Sequence, residues 1–376
     1  MAGGHIRKRG DKWCFVVDLG YDENNKRKQK WYSGFKTKKE AQGKLTEILQ
    51  TINTGQFVEN TNATLNDFLF RWLNDYVSIN VSHNTFESYK YVICNHLIPA
   101  FGKTKVINLK ATTIQRFYSD TVKNTNLSTT TVLYIHKVLK QALNHAVKWR
   151  LIHFNPCASV DPPRKSKQEA NYLQEDELFT LLDHCCGKPI HIPVFLATTT
   201  GMRRGEILGL RWKDIALDEG MIYVSNNLQL VNKGLELTST KTDKSKRPIK
   251  MNETTIVYLK RHRIMQAKNK LMLGEEYNDM DFVCCWDHGV PFRPDYITQT
   301  FGRIIEKIKI TKISFHDLRH THATLLLKEG IHPKIVSERL GHSKVSITLD
   351  TYSHVIPDMQ TEAAEKIEER LFKNVT

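Results

Sequence analysis

The sequence contains no apolar run of 18 residues or more, and no basic start leading into a short apolar stretch. A bilayer-spanning helix needs about 20 such residues, so neither a membrane span nor a secretory signal is expected, and the chain is predicted to work in the cytoplasm. It also lacks any C-x-x-C pair. The seven cysteines stand singly at Cys14, Cys94 and Cys157 or as the adjacent pairs Cys185/Cys186 and Cys284/Cys285. An odd, unpatterned set predicts reduced thiols, not a disulfide frame. Adjacent cysteines rarely chelate one ion, so Cys284, Cys285 and His288 are not read as a zinc site. No cluster of carboxylates suits magnesium either. Acid itself is short: 40 Asp and Glu face 55 Lys and Arg, a formal charge of +15. That excess calls for a polyanionic partner, nucleic acid before an anionic membrane surface.

What is present is a chain of 376 residues, enough for two or three domains. Residues 1–55 open with nine Lys and Arg against four acids up to Lys36. Trp13, Phe15 and Val17 alternate, a turn follows at Tyr21–Asn25, and a second strand runs from Lys30 to Phe35. Thr37, with Glu40 three residues on, caps a helix from Lys38 to about Asn53. A two-stranded basic ribbon fits a major groove, which makes Lys28 and Lys30 candidate DNA contacts. The competing reading is a small basic domain whose charges are only solvated. Residues 56–63 form a linker.

Residues 64–155 show helical spacing and no strand pattern, beginning with Leu65, Phe68, Leu69 and Trp72. Further helices are predicted over Ser82–His96, Thr112–Lys123 and Ser128–Trp149, each opened by a capping Ser or Thr. On the last, Lys137, Lys140, His145 and Lys148 make a possible face for a DNA backbone or a merely solvated one, with Lys137 and Lys140 as the candidate contacts. Pro156, Pro162 and Pro163 break the helical pattern, so 156–171 is read as a linker. A larger mixed domain follows over 172–357. It is predicted to hold helices at Gln174–Cys185 and Glu253–Leu273 and strands at Met221–Val224, Leu235–Leu237 and Arg247–Lys250. Residues 358–376 form an acidic helical tail whose apolar stripe is Ala363, Ala364, Ile367 and Leu371.

The chemistry concentrates between Ile313 and His354. Two helical stripes there leave His316, Arg319, His342 and Tyr352 on a polar side, and His316 and Arg319 share a helix face. Arg clamps phosphate oxygens, His moves protons near neutral pH, and Tyr can be a covalent nucleophile. Each motif alone is weak; the ordered set Arg203, Lys241, His316, Arg319, His342, Tyr352 is specific.

That order, in T-G-x-R-x-G-E, a hairpin-tip lysine, H-x-L-R-H-T, L-G-H and Y-S-H, resembles the tyrosine recombinases of the phage-integrase type. The resemblance covers 172–355 firmly and the helical 64–155 more loosely, while 1–55 is similar to the arm-binding domain of integrases from temperate phages and conjugative transposons. It implies a multidomain, mainly α chain: a β-hairpin-plus-helix amino-terminal domain, an all-α core-binding domain and a mixed α+β catalytic domain. It implies a site-specific recombinase of a mobile element or phage, cutting and rejoining double-stranded DNA at core and arm sites, with no cofactor and no metal. Tyr352 would attack the scissile phosphate to leave a 3′-phosphotyrosyl link. Arg203 and Arg319 would stabilise the charge that builds. His316 would be the general base, Lys241 the general acid, and His342 a further donor to the phosphate. Glu206 would orient Arg203 or His316. The resemblance also implies a homotetramer on DNA, with accessory DNA-bending or directionality proteins; the tail either packs on its own domain or, as in the family it resembles, docks onto a neighbouring protomer. A non-catalytic DNA-binding regulator and a type IB topoisomerase-like enzyme are the alternatives.

Overall fold

The computed structural model describes residues 3–21, 25–53, 62–164, 171–231, 234–239, 246–352, 364–365 and 367–371. The chain forms two compact units, residues 1–167 and 168–376. Among the described residues no helix is long and apolar enough to cross a membrane.

The first unit begins with three antiparallel strands in the order β1 (Gly4–Arg9), β2 (Lys12–Tyr21), β3 (Arg27–Phe35). The hairpin expected from alternation is β2 and β3; β1 adds a third strand whose side chains are too polar to show the pattern. Phe15 and Val17 are fully buried beneath α1 (Lys38–Asn53), against Ala41, Leu45 and Ile48. Phe15 stacks on Tyr32 at 4.9 Å and on Phe35 at 5.3 Å between ring centres. The start of α1 is fixed by the predicted cap: Glu40 N–H donates to Thr37 Oγ1 at 3.2 Å, and Glu40 Oε2 accepts from Lys36 N–H at 3.0 Å.

A separate apolar cluster holds the helices that follow. Leu65, Phe68, Leu69 and Trp72 of α2 (Leu65–Trp72) are all buried, and Thr64 caps the helix through Asp67. The chain continues through a π-helical turn, Leu73–Val77, into α3 (Ser78–Asn80). The same device joins α4 (His83–Val92) to α5 (Ile98–Phe101) through Ile93–Leu97. Both inserted turns keep apolar residues on the buried face: Leu73, Val77, Ile93 and Leu97. Helices α6 (Ala111–Asn124) and α7 (Thr129–Lys148) complete the group. Lys137 and Lys140 are exposed on α7. His145 is not on that exposed face: it is buried, its Nδ1 3.0 Å from Gln141 O, because its position falls on the apolar stripe with Ala142 and Ala146.

The second unit packs α8 (Glu175–Cys185), α9 (His191–Thr200) and the short α10 (Arg204–Leu208) with a small sheet of order β4-β5-β8. Its strands are β4 (Ile215–Ala216), β5 (Met221–Val224) and β8 (Arg247–Lys250), while β6 (Asn226–Val231) pairs with β7 (Gly234–Ser239) as a separate ribbon. Then come α11 (Glu253–Leu273), α12 (Pro294–Ile308), α13 (Asp317–Lys328), α14 (Pro333–Leu340) and α15 (Val345–Tyr352). One large core runs through α8, α9, the sheet and α12. Ala323, Leu327, Val336, Leu340 and Tyr352 form a second cluster, which binds α13, α14 and α15 together. The described tail residues, 364–365 and 367–371, are helical and exposed.

Candidate active site

Two glycines with positive φ bring the polar residues of this unit together. Helix α9 stops at Gly201, whose φ of +66° places it in the left-handed region that L side chains avoid. A Cβ there would also lie 2.6 Å from His322 and 2.7 Å from Leu340. The chain turns sharply and makes Arg203 the residue that caps α10, with its N–H on Glu206 Oε2 at 2.9 Å. Helix α14 ends the same way at Gly341, φ +70°.

Glu206 is 3% exposed and holds two guanidinium groups. Arg203 Nη1 donates to Oε1 at 2.8 Å, and Arg247 Nη2 donates to Oε2 at 2.9 Å. Burial pushes this carboxyl up, but hydrogen bonding and charge from Arg247, then Arg203, outweigh it and hold it below the usual value. It stays an anion and fixes both cations. Arg203 also reaches across to α14, its Nη2 donating to Gly341 O at 3.2 Å. Arg247 Nε donates to Arg339 O at 2.7 Å, so the sheet and α14 are tied through one side chain.

Arg319 is 3% exposed. Its Nη1 donates to Gly201 O at 2.9 Å, whereas its Nη2 is buried without a partner among the described residues. Burial, then the neighbouring Arg203, pushes the guanidinium down to about 9, so it remains charged at neutral pH. An unpaired N–H of a buried cation is a costly arrangement, and an arriving phosphate oxygen would relieve it.

His316 stands at the start of α13 with its side chain exposed. Desolvation by neighbouring atoms and the charge of Arg319 lower its pKa. His342 follows Gly341, with its Nδ1 2.8 Å from Thr348 Oγ1; burial, then Arg319 and Arg203, pushes it down to about 4. It is neutral at pH 7. Tyr352 is the last described residue of α15 and is 1% exposed. Burial pushes its phenol up to about 12, with Arg319 pulling the other way.

The hydroxyl of Tyr352 does not meet the histidine expected for it. It lies 2.7 Å from His320 Nδ1, not against His316. The two histidines are one helical turn apart on α13 with rings 5.4 Å apart, and α15 leans on the second of them. Glu206 likewise pairs with Arg203, as expected, and in addition with Arg247; no bond to His316 is formed. Lys241 lies outside the described residues.

Elsewhere, Lys28 is exposed and Lys30 half-buried on β3, the latter with its Nζ 5.8 Å from the centre of the Tyr32 ring. Sequence reasoning missed Arg247, His320 and the pair His322–Arg339. His322 Nδ1 faces Thr198 O at 2.8 Å, and its Nε2 accepts from Arg339 Nε at 3.1 Å. Arg339 donates onward to Lys250 O at 3.0 Å and to Thr199 O at 3.0 Å. Only the R-H-T-H run could have drawn attention to His320 and His322.

The profile of the phage integrase family matches residues 171–358, that of an arm DNA-binding domain 5–52, and that of the phage integrase N-terminal SAM-like domain 64–122. A tyrosine recombinase XerC-like protein of Caldanaerobacter subterraneus subsp. tengcongensis is 31% identical over 96% of this chain and 97% of its own. The ICEBs1 integrase of Bacillus subtilis is 27% identical over 77% of this chain and 78% of its own. Among solved structures, the Tn1549 transposon integrase in complex with a circular intermediate DNA aligns with a TM-score of 0.69 at 20% identity, covering 81% of this chain and all of that one. A lambda integrase dimer bound to a core site aligns at 0.58 and 18% identity, over 77% and 95% of the two chains.

Proposed function

The chain belongs to the phage integrase family and is a tyrosine recombinase, an enzyme of site-specific DNA recombination, and from that premise we propose the roles of its residues. Tyr352 Oη attacks the scissile phosphorus. The bond from phosphorus to the 5′ oxygen breaks, leaving a 3′-phosphotyrosyl link and a 5′ hydroxyl. The link stores the energy of the phosphodiester, so a second strand can reverse it without ATP.

Arg319 and Arg203 stabilise the extra negative charge on the non-bridging oxygens of the five-coordinate phosphorus. The observation that carries this reading is the buried Nη2 of Arg319, which has no partner among the described residues, in a site where the Tyr352 phenol feels the charge of Arg319. His316, open to solvent, and His342 complete the hydrogen bonds to the phosphate. Lys241 protonates the departing 5′ oxygen. Glu206 keeps Arg203 in place and takes no proton.

Residues 1–55 act as an arm-type DNA-binding domain, 64–155 as the core-binding domain and 172–357 as the catalytic domain, joined by the linker 156–171. The chain acts on duplex DNA inside a bacterial cell as the integrase of a mobile element, assembling as a tetramer whose tails, 358–376, dock onto neighbouring protomers. Accessory DNA-bending or directionality proteins set the direction.

The test uses nicked duplexes drawn from a randomised pool by covalent capture on the wild-type protein. Wild type is expected to accumulate a protease-sensitive DNA adduct at a fixed nucleotide, and Tyr352→Phe none. An adduct formed by Tyr352→Phe, or none by wild type under conditions where it binds the DNA, would overturn the assignment.

A further inference from the structure

We propose that His320, not His316, is the catalytic residue that receives the proton of Tyr352 during strand cleavage. The inference rests on the reading of Tyr352 as nucleophile and deepens it.

A general base must stand within about 2.6–3.2 Å of the proton it removes. His320 Nδ1 stands 2.7 Å from Tyr352 Oη, and that is the hydrogen bond the hydroxyl makes among the described residues. The ring of His320 is tilted against the phenol with centres 5.7 Å apart, so the contact is held by packing as well as by the bond. Tyr352 itself is locked: 1% exposed, in one apolar cluster with Ala323 and Leu327 of the helix that carries His320. His316 lies a turn away at the exposed end of α13.

The chemistry agrees. A phenol raised to about 12 is ionised in only about one molecule in 10⁵ at pH 7, so unassisted attack is slow. His320 is held below the ordinary histidine value, by burial first and then by His316. At neutral pH it is therefore an uncharged imidazole with a lone pair to offer. In the Nε2–H tautomer, Nδ1 accepts the hydroxyl proton. The Oη–H bond breaks as the Oη–P bond forms, His320 becomes an imidazolium, and the bond to the 5′ oxygen breaks with a proton taken from Lys241. Rejoining returns each proton to its origin, and the balance needs no outside reagent. A positively charged His320 also sits beside the phosphotyrosyl oxygen, ready to protonate it as the leaving group of the reverse step.

The test measures single-turnover adduct formation on the captured nicked duplex between pH 5 and 9, with wild type, His320→Ala, His320→Asn and His316→Ala. Asn places an amide oxygen near the position of Nδ1 and keeps a hydrogen bond to Oη, but it cannot carry the proton. Both His320 variants are expected to bind the duplex as wild type does and to form adduct about 10²–10⁴-fold more slowly. They are also expected to lose the acid limb of the pH profile, and imidazole in the buffer should restore part of the rate of His320→Ala. His316→Ala should keep that limb. Two outcomes would sink the proposal: His320→Asn within about threefold of wild type, which makes His320 an orienting group only, or an acid limb that survives in both His320 variants and vanishes in His316→Ala. Loss of the adduct in Tyr352→Phe is scored separately, so failure of the nucleophile assignment is not confused with failure of this one.

Discussion

At the scale of single residues, the site is a set of cations whose positions are fixed by one anion and several carbonyls. Glu206 shares its two oxygens between the partly exposed Arg203 and Arg247, and with Arg247 it forms a buried pair. Removing one partner of such a pair costs far more than removing both, because the survivor is left desolvated and unpaired. Arg247→Met should therefore lower the stability of the protein by about 3 kcal/mol in urea denaturation, while Arg247→Met with Glu206→Gln recovers part of that loss. Equal losses in the single and double variants would mean that Arg247 acts through Arg339 O alone. His322 gives a pH dependence of defined sign. It is 8% exposed and pushed down to about 4 by burial, then by Arg339, so the unfolded chain binds its proton more readily than the folded one does. The stability it contributes is complete above the ordinary value of about 6.5 and is lost as pH falls from there toward 4. Between pH 7 and 5 the loss is about 2 kcal/mol, and His322→Gln should flatten that part of the stability profile.

At the scale of elements, the motifs recognisable in the sequence turn out to be helix ends. The L-G-H run is the close of α14: Gly341 adopts φ +70°, and a Cβ on it would lie 2.9 Å from Arg247 Nη1. Gly341→Ala therefore meets both a backbone penalty of roughly 1–2 kcal/mol and a guanidinium that cannot move without leaving Glu206. The expected result is a lower urea midpoint together with a loss of adduct formation larger than the loss of DNA affinity, since Gly341 O holds Arg203 and its neighbour is His342. A variant as active as wild type would show that this turn has slack. The same elements show how much could be read in advance. Helix α1 announces itself through Thr37 with Glu40, because a cap is a local, three-residue interaction. Strands β1 and β6 do not, since their side chains are mostly polar or only half-buried and leave no alternation to count. The polar face of α13 was legible from the spacing of His316 and Arg319. Which turn of that face receives Tyr352 was not, because the approach of α15 is set by Leu327, Val336 and Leu340, far along the chain. Arg247 was hidden for the same reason: as the first residue of a strand it looks like an ordinary exposed cation until Glu206 is brought beside it.

At the scale of the whole molecule, the charge is divided unevenly. Residues 1–167 hold 26 Lys and Arg against 12 acids, and residues 168–376 hold 29 against 28. The unit that holds the candidate site is thus close to neutral, and nearly the whole excess of +15 belongs to the other. Long-range attraction to a polyanion scales with such an excess, and each phosphate neutralised releases counterions, so log K falls with log salt by about 0.9 per contact. The two units are expected to divide the work accordingly: one supplies salt-sensitive affinity, the other a few strong contacts at a single phosphate. The check is fluorescence anisotropy of a labelled duplex titrated from low to moderate salt with the full chain and with residues 168–376 alone, which carry their own apolar cores. The fragment should bind more weakly and with a markedly shallower salt slope, yet still form some adduct with the nicked duplex at high protein concentration. If both proteins gave the same slope, the basic surface of residues 1–167 would not touch DNA phosphates, and its charge would have to be explained by solubility alone.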